Sequence, residues 1–403
     1  MALILLCSKR LATFWDTEKD QAMRHQNSVF HGLLKHVPWH RFDSLVEDCG
    51  ADARVRRLST KSQLVALLYG QLSGAVSLRE IVTGLSSHAV RLYHVGAEPV
   101  RRSTFSDANA QRPVAVFTDL LAMIMKQAHR GLRRKLAETT YLIDATSARL
   151  NERSAGWAQF SAGVCGAKVH VIYDADADRP IYAAVTAAKV NDITMAEQMP
   201  IEPGATYVFD LGYYDYAWWA ELDAVGCRIV TRFKSNTPLD LIKEQSVATG
   251  RNILSDRIGF LPARQARSRR NPMQDPVREV RVATESGTVL RILSNDLDAS
   301  AEEIADLYRQ RWAIELFFRW VKQTLKITRF VGTSENAVRI QIAVALIAFL
   351  LLRLAQALQK AIQSPIVFSR LIRANLMHRR SIDNLLNPPP ILEDQQQMSL
   401  SLC

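Results

Sequence analysis

Two runs of strand-forming residues, each ending in an aspartate, constrain the fold of this chain more than any other feature. Residues 139–144 read TTYLID and residues 206–210 read TYVFD, so aromatic and β-branched residues lead into Asp144 and Asp210. Such runs predict buried β-strands. Either aspartate taken alone fits a turn residue at the end of a strand as well as it fits a functional site. We therefore predict an α/β fold with core strands that end in these two acids.

The pattern of the sequence changes several times along its 403 residues, a length that suits two or three domains. Helical patterns precede residue 135, strand patterns follow, and helical patterns return from residue 300. Five cysteines are scattered singly, which indicates neither a zinc ribbon nor a disulfide framework. We divide the chain into an upstream extension (1–22), a helical domain (23–135), a first α/β part (136–226), a β-rich part (227–299), a second α/β part (300–375) and a C-terminal tail (376–403).

The helical domain contains two short helices around a glycine. Ser59 is predicted to cap a helix over residues 63–72, Gly74 to break it, and residues 78–85 to form the next helix. This arrangement fits a DNA-binding helix-turn-helix and plain helical packing equally well. Ser103 is predicted to cap a later helix.

One face of a later helix gathers four functional groups. Ser300 is a predicted N-cap, and an α-helix from there would turn by about 100° per residue. Tyr308, Arg311, Glu315 and Lys322 then fall within a sector of roughly 60°. An ordinary surface helix also pairs such charges, and Arg311 with Glu315 at i,i+4 fits that interpretation when the helix is considered alone.

The two strand-end aspartates and Glu315 together suit a site for hard divalent cations. Mg²⁺ and Mn²⁺ prefer oxygen ligands, and carboxylates from distant segments of the sequence supply them. Two such ions on either side of a phosphodiester can activate the attacking oxygen and stabilise the leaving one. Arg311 and Lys322 would hold the phosphate. The acids therefore predict metal-dependent phosphoryl transfer.

These residues resemble the bacterial insertion-sequence transposases of the DDE superfamily, in particular the IS-four group. That group carries a Tyr-x2-Arg-x3-Glu-x6-Lys signature, which Tyr308, Arg311, Glu315 and Lys322 match at every spacing. Its second aspartate lies in an Asp-x-Gly-Tyr-x-Asp context, and residues 210–215 read DLGYYD. The resemblance covers about residues 23–375.

The resemblance implies an RNase H-like core, a mixed sheet flanked by helices, with a β-rich insertion domain and a helical N-terminal domain that binds DNA. Between Asp210 and Glu315 lie 104 residues, too many for a loop. That interval fits the family's insertion domain, here about 227–299. The core would then be formed by residues 136–226 and 300–375.

The resemblance also assigns roles to the site residues. Asp144, Asp210 and Glu315 would be the catalytic, metal-binding triad, with two Mg²⁺ ions that Mn²⁺ can replace. The signature Tyr308 and Arg311 would contact phosphates near the cut DNA end, assisted by Lys322. Two protomers would pair the two ends in a homodimer. Some relatives stack a flipped base on an insertion-domain tryptophan, but no Trp lies between residues 219 and 312. Either Phe233, Phe260 or another group takes that role, or no hairpin intermediate forms.

Charge and hydrophobicity fit a DNA partner. The formal net charge of +11 attracts polyanions. The longest apolar run, 342–352, is shorter than the roughly 20 residues that cross a bilayer, so a buried core helix is predicted and no membrane partner. We expect a cytoplasmic, nucleoid-associated bacterial protein. Further DNA contacts are predicted at the basic loop and the start of the Ser103 helix: Arg267, Arg269, Arg270, Arg101 and Arg102.

The sequence thus predicts a DNA transposase that cleaves at terminal inverted repeats and transfers the freed ends into target DNA. Two alternatives remain open at this point. One is a domesticated or inactive transposase that acts as a DNA-binding regulator. The other is a nuclease that hydrolyses DNA without strand transfer.

Overall fold

The computed structural model describes residues 28–130, 139–247, 252–324, 330–359 and 361–387. The predicted upstream extension and most of the predicted tail lie outside these ranges.

Residues 28–130 form helices and connecting loops. Ser59 accepts a hydrogen bond from the amide of Ser62, and Gly74 ends the same helix in a left-handed conformation with φ of 77°, so the predicted cap and stop are confirmed. The longer helices are α1 (Val29–Leu34), α2 (Trp39–Asp48), α3 (Thr60–Ser73), α4 (Leu78–Ser87), α5 (Arg102–Gln111) and α6 (Val114–Arg130), with short helical turns at Ala89–Leu92 and Tyr93–Val95.

One sequence expectation changes in this domain. Nearly every residue of α3 is buried, so α3 is a core helix, which is compatible with both interpretations of the two short helices. Ser103 does not cap α5, because the helix already begins at Arg102 and Arg101 is its cap residue. The prediction of a Ser103 cap is therefore wrong.

Within the described ranges, ten strands form one sheet in the order β2-β3-β1-β5-β6-β12-β11-β8-β7, and β4 also pairs with β3. A separate two-stranded sheet joins β9 and β10. The strands are β1 (Thr140–Leu150), β2 (Gln159–Ser161), β3 (Val164–Asp174), β4 (Arg179–Ala187), β5 (Thr206–Phe209), β6 (Arg228–Arg232), β7 (Asp240–Gln245), β8 (Ile253–Phe260), β9 (Arg264–Ala266), β10 (Arg269–Arg270), β11 (Val277–Ala283) and β12 (Val289–Ser294).

The sheet is mixed. β3 pairs antiparallel with both β1 and β4, whereas β1, β5 and β6 run parallel. Helices flank this part, which confirms the predicted RNase H-like mixed-sheet fold. Apart from the small β9–β10 sheet, the strands of the segment 227–299 belong to the core sheet. β6 pairs with β5, and β12 pairs with β6, so β12, β11, β8 and β7 extend the core sheet itself.

Helices complete the α/β part. Short helical turns occur at Glu152–Ser154, Ala155–Ala158 and Leu211–Tyr213. The remaining helices are α7 (Asp192–Ala196), α8 (Tyr216–Ala224), α9 (Ala301–Gln310), α10 (Trp312–Thr324), α11 (Glu335–Ala357), α12 (Pro365–Asn375) and α13 (Ile382–Leu386). Ser300 caps α9 by accepting from the amide of Glu303, as predicted.

Alternation along the central strands defines two faces of the sheet. Leu142 and Val208 pack in the core that the sheet shares with the N-terminal helices, on what we call the first face. Ile143 and Phe209 pack with α8 in a separate core on the second face. A side chain's place in this alternation therefore decides which core it meets.

The apolar run 342–352 lies within α11, which packs against α3, α5 and α6. Among the described helices, α11 is the one long and apolar enough to cross a membrane, and 83% of its apolar window is buried inside the protein. In this fold α11 is a core helix, as predicted from the length of the run.

Candidate active site

Asp144 and Asp210 lie side by side across β1 and β5. The parallel ladder aligns residues 140–143 with 206–209 one by one, so each aspartate is the next residue after the paired stretch. β1 itself continues past Asp144 to Leu150 and pairs with β3, with Asp144 opposite Val171. The prediction that Asp144 ends its strand is therefore wrong. The pairing with β5 ends there instead, because β5 stops at Phe209.

The Asp144 carboxylate is mostly buried on the first face and sits among other acids. Its Oδ1 accepts a hydrogen bond of 2.7 Å from the Ala145 amide. Burial raises the pKa of Asp144 to about 7; the Ala145 amide and Arg311 oppose the shift, and the nearby Asp210 and Glu315 carboxylates add to it. Asp144 therefore lies in a region with an excess of negative charge.

The signature residues are not on one continuous helix. α9 ends at Gln310 and α10 begins at Trp312, with Arg311 at the junction. The Arg311 amide bonds to the Tyr308 carbonyl at 3.1 Å, an i to i−3 bond that tightens the turn. The prediction of an unbroken helix is wrong at this residue, although Glu315 still lies one turn after Arg311.

Arg311 links the helix junction to the strand acids. Its Nη2 lies 2.6 Å from Oε1 of Glu315, and its Nη1 lies 3.9 Å from Oδ2 of Asp144. Its Nε is buried and has no hydrogen-bond partner within the described part of the chain. The guanidinium thus bridges two of the three predicted ligands and still has an unused donor. The simple helix salt bridge does exist, but it includes Asp144 as well.

Lys322 approaches the same acids from the last turn of α10. It lines a small apolar recess with Val169 and Val171 of β3 and Thr146 of β1. Burial lowers the pKa of Lys322, and the nearby Asp144 carboxylate opposes that shift. Lys322 therefore belongs to the first face, next to Asp144.

A residue that the sequence interpretation missed, Arg232, continues the row of strand ends. β5 and β6 pair in parallel with Phe209 opposite Thr231, so Arg232 follows its paired stretch as Asp210 follows its own. Burial raises the pKa of Tyr308, and both Arg311 and Arg232 oppose that shift. The phenol of Tyr308 therefore lies near two guanidinium groups. Arg232 follows the β-branched run 229–231 as Asp210 follows its own strand-forming run, a signal that was present in the sequence.

The segment 210–215 shows why its motif residues are needed. Asp210 Oδ1 accepts from the Gly212 amide at 2.8 Å, and a Cβ at Gly212 would lie 3.0 Å from that oxygen. Tyr213 is buried, and Asp215 caps α8 by accepting from the amides of Ala217 and Trp218. The glycine allows close approach and the final aspartate starts the helix, so both support the position of Asp210.

The predicted basic loop 264–270 is a small hairpin, since β9 and β10 pair with each other. Gln265 bonds to the backbone of Tyr214 and Tyr216, and Nη1 of Arg269 lies 2.7 Å from Oδ2 of Asp215. The hairpin is thereby held to the segment that follows Asp210. The exposed arginines of the hairpin that have no ion pair with a described residue are Arg264, Arg267 and Arg270.

Two further sequence candidates differ in exposure. Phe233 is only 3% exposed, and the Arg291 guanidinium covers its ring at 4.4 Å, so this ring is not free to stack on a base. Phe260 is 40% exposed. Arg101 and Arg102 are exposed at the start of α5, in the N-terminal helical domain.

The comparison with known families decides the identity of the chain. The family model of the transposase DDE domain matches residues 135–351, more than half of the chain. The chain belongs to the DDE transposase family. Residues 25–98 of the transposase match a second family model, a domain of unknown function (DUF4372).

Individual relatives agree with this assignment. The transposase is 38% identical over 286 residues to a putative transposase, y4zB, of Sinorhizobium fredii, a match that covers 71% of this chain and 80% of the relative. It is 31% identical over 257 residues to a probable transposase for insertion sequence element IS5377 of Geobacillus stearothermophilus, with 62% and 66% covered. It is 26% identical over 279 residues to a putative transposase for insertion sequence element IS4SA of Synechocystis, with 68% and 76% covered.

Among solved structures, the transposase matches a piggyBac transposase in a synaptic complex with hairpin DNA, at a TM-score of 0.44 and 11% identity, with 90% of this chain and 82% of the other covered. The family and the curated relatives confirm the predicted insertion-sequence transposase of the DDE type. The protein is therefore a DNA transposase, an enzyme that cleaves DNA and transfers strands.

Transposases of this family use divalent metal ions, and the donor atoms here suit such ions. Asp144, Asp210 and Glu315 offer carboxylate oxygens, which are the ligands that such ions prefer. Burial, and after it the charges of Asp210 and Glu315, raises the pKa of Asp144. In the described ranges, no three acidic, histidine or cysteine side chains are yet close enough to enclose an ion. Glu315 is instead ion-paired with Arg311, whose Nη2 lies 2.6 Å from its Oε1.

Proposed function

We propose that this transposase holds two Mg²⁺ ions, which Mn²⁺ can replace, through Asp144, Asp210 and Glu315, and that it carries out cut-and-paste transposition at terminal inverted repeats. The observation behind the proposal is the register of β1 and β5, which makes the two aspartates neighbours one residue beyond the paired stretch. When bound, the ions would activate the attacking oxygen and stabilise the leaving oxygen at a phosphodiester.

The cationic residues would hold the DNA phosphate. Arg311 has a buried, unused Nε, and a guanidinium binds phosphate with two parallel hydrogen bonds. A phosphate that binds Arg311 competes with Glu315 for the same guanidinium, so DNA binding would release the glutamate from its ion pair. Lys322 would add a second positive charge beside Asp144, and the Tyr308 hydroxyl would donate a hydrogen bond to phosphate.

Other parts of the chain would bind DNA farther from the reacting bond. The hairpin is tethered to the segment after Asp210, so its arginines Arg267, Arg269 and Arg270 would follow the DNA backbone close to the site. Arg269 would contribute least, because its guanidinium is already paired with Asp215. We further propose that the domain 23–135, with Arg101 and Arg102, recognises the terminal repeats, that a homodimer pairs the two ends, and that the protein acts on DNA in the bacterial cytoplasm.

Cleavage and joining are tested separately. Purified full-length protein is incubated with Mg²⁺ and terminal-repeat DNA, either intact or pre-cleaved to expose the 3′-hydroxyl, together with a target plasmid. We expect intact ends to be cut and pre-cleaved ends to be joined to the plasmid, and Asp210→Asn to lose both activities. The control Asp306→Asn removes an exposed carboxylate from α9 and should keep both. Cleavage without joining by the unmodified protein would contradict strand transfer and indicate a nuclease.

Recognition of the ends is tested by binding. The double variant Arg101→Ala, Arg102→Ala should lose preference for repeat DNA over random DNA at moderate salt. The matched control Arg379→Ala, Arg380→Ala removes two exposed arginines near the C-terminal end of the fold. Equal losses in the two double variants would show that only general charge is involved.

A further inference from the structure

A charged cluster lies behind the proposed metal ligands, on the second face of the sheet. β3 sends Val169 and Val171 to the first face and Lys168 and His170 to the second, where α7 begins at Asp192. Nζ of Lys168 donates to Oδ1 of Asp192 at 2.8 Å and to the Val190 carbonyl at 2.9 Å. The lysine thus fixes one oxygen of Asp192 and neutralises part of its charge.

His170 supports the same carboxylate from β3. Its ring is fully buried, and Nε2 lies 2.9 Å from the Thr186 hydroxyl of β4. Its Nδ1 lies 3.7 Å from Oδ1 of Asp192. Burial lowers the pKa of His170 to about 4, so the imidazole is neutral at physiological pH and packs against Asp192 without adding a positive charge.

The other oxygen of Asp192 faces the segment that carries Asp210. A Cβ built on Gly212 would lie 3.0 Å from Oδ1 of Asp210 and 3.2 Å from Oδ2 of Asp192, so both carboxylates border this one glycine. No described residue donates a hydrogen bond to Oδ2 of Asp192. Oδ1 of Asp192 is therefore bonded to Lys168, whereas Oδ2 has no donor among the described residues and lies beside the proposed metal ligand Asp210.

A second, independent observation points to a ligand at the same place. The Tyr213 hydroxyl is buried, with the residue 1% exposed, and has no hydrogen-bond partner in the described part of the chain. Burial, and after it the charges of Asp192, Asp144 and Asp210, raises the pKa of the Tyr213 hydroxyl, so the three carboxylates are near this phenol. Buried hydroxyls are normally hydrogen-bonded, and the unpaired one here indicates a group that completes the site when the enzyme is loaded.

We propose that Asp192 is a positioning residue for the cation held at Asp210: its free oxygen and the Tyr213 hydroxyl receive the hydration shell of the ion, while Lys168 and His170 keep Asp192 in place. The inference rests on the proposed metal-binding role of Asp210. A divalent ion such as Mg²⁺ retains several waters, and outer groups that bond to them orient the site and strengthen binding. This role explains why one oxygen of Asp192 is directed at Asp210, which the ion pair with Lys168 alone does not explain.

A purely structural role makes a different prediction. Asp192 lies in the first turn of α7, where a carboxylate is stabilised by the helix dipole, and the Lys168 pair ties α7 to β3. If that were its whole function, removing its charge would lower the melting temperature without changing the affinity for metal.

Metal affinity is measured on the full-length protein without DNA, by titrating Mn²⁺ and following free Mn²⁺ by electron paramagnetic resonance. Asp192→Asn is expected to raise the Kd for Mn²⁺ by about tenfold. The control Glu197→Gln removes an exposed carboxylate at the end of the same helix and should leave the Kd unchanged. Gly212→Ala keeps both carboxylates but displaces them with a methyl group, and should also raise the Kd. Melting curves in EDTA show whether each variant is folded.

Asp210→Asn distinguishes the proposed role of Asp192 from the proposed metal site at Asp210. Loss of Mn²⁺ binding in Asp210→Asn, with a raised Kd in Asp192→Asn and Gly212→Ala, supports the inference. If Asp210→Asn removes binding but Asp192→Asn keeps the original Kd, the role of Asp192 is overturned and the metal site stands. If Asp210→Asn binds Mn²⁺ as the unmodified protein does, the proposed metal site itself is overturned. Should Asp192→Asn fail to fold, an unchanged Kd in folded Gly212→Ala rejects the inference.

Discussion

Two clusters of arginines and carboxylates in this transposase have opposite charge balance. In the extended part of the sheet, Glu279 is paired with Arg281 and Arg291, and its side chain is 1% exposed. At the site, Asp144 is close to two other carboxylates and shares Arg311 with one of them. The first cluster therefore has two arginines for one acid, whereas the second has three acids around Arg311 and Lys322.

The pKa values reflect this difference. Burial favours the neutral form of both acids, but hydrogen bonds from Arg291 and Arg281 outweigh it and lower the pKa of Glu279. At Asp144 the neighbouring acids add to burial, and the pKa rises to about 7. Glu279 is neutralised by arginines of the protein, so its ion pairs stabilise the fold. The carboxylates around Asp144 outnumber their cationic partners, so they can bind a metal cation.

A buried ion pair in the extended part of the sheet has one arginine for one carboxylate. Arg278 of β11 and Asp256 of β8 are almost fully buried and share two hydrogen bonds, of 2.8 Å and 2.6 Å. Arg278 also donates to the carbonyls of Leu297 and Ala299, just before α9. The pair therefore joins the extended sheet to the start of the segment that carries Arg311.

The largest effect is expected at the acids with surplus charge. Asp144→Asn, Asp210→Asn and Glu315→Gln should each lower single-turnover cleavage by about 10²–10³-fold or more, because each removes charge that the reacting centre requires. Melting temperatures in EDTA should stay the same or rise, since repulsion between the acids is reduced. Near-normal cleavage by any one variant would remove that residue from the site.

The next effect concerns stability rather than catalysis. Arg278→Met should lower the free energy of unfolding by about 3–5 kcal/mol, because it leaves Asp256 buried and unpaired. Urea unfolding measures this loss. The control Arg257→Met breaks a more exposed pair with Glu244 in the same sheet and should cost only about 0–1 kcal/mol. Equal losses in the two variants would contradict the contrast drawn between buried and exposed pairs.

Arg311→Ala should lower the cleavage rate by about a hundredfold, because the phosphate loses a charge-assisted contact. Because the Arg311 side chain is only 17% exposed, its loss should also lower the free energy of unfolding, by more than the about 0–1 kcal/mol of an exposed pair. Arg339→Ala is the matched control, since Arg339 pairs with Glu335 at the same spacing and the same 2.6 Å distance but on α11. Full activity in Arg311→Ala would reject the phosphate role and leave Glu315 as the functional residue of that turn.

The smallest effect is in the dependence of stability on pH, measured by chemical unfolding in EDTA. The folded protein holds the proton of Asp144 more tightly than the unfolded chain, so this group's contribution is present below about pH 4 and is lost as the pH rises through about 7. Asp144→Asn should remove that decline. For Glu279 the sign is reversed: its contribution is present above about pH 4 and is lost on further acidification, and Glu279→Gln should remove that loss. A variant that keeps the pH dependence of the unmodified protein would contradict the proposed charge balance.

Local signals in the sequence were sufficient for several features of this protein. The caps at Ser59 and Ser300, the stop at Gly74 and the buried helix over residues 342–352 all depend on residues close together in the chain, and the structure has them as predicted. The spacing of Tyr308, Arg311, Glu315 and Lys322, with the aspartates after two apolar runs, was sufficient to identify the family. These features could be predicted without knowledge of the fold, because each depends on local chemistry or on the spacing of a motif.

Only the tertiary structure decided how these parts meet. The pairing of β1 with β5, and of β5 with β6, places Asp144, Asp210 and Arg232 in one row. The first of these pairings joins segments 66 residues apart (140 with 206), and the second joins segments 22 residues apart (206 with 228). The break at Arg311 arises where α9 and α10 pack against the sheet, so helical periodicity alone did not predict it. The cluster of Lys168, His170 and Asp192 likewise requires α7 to pack on the face of the sheet to which β3 directs Lys168 and His170. These positions depend on the register of the strand pairing, because a shift by one residue would move every side chain of a strand to the other face of the sheet. That register is set by contacts between distant segments, so no short stretch of sequence predicts it.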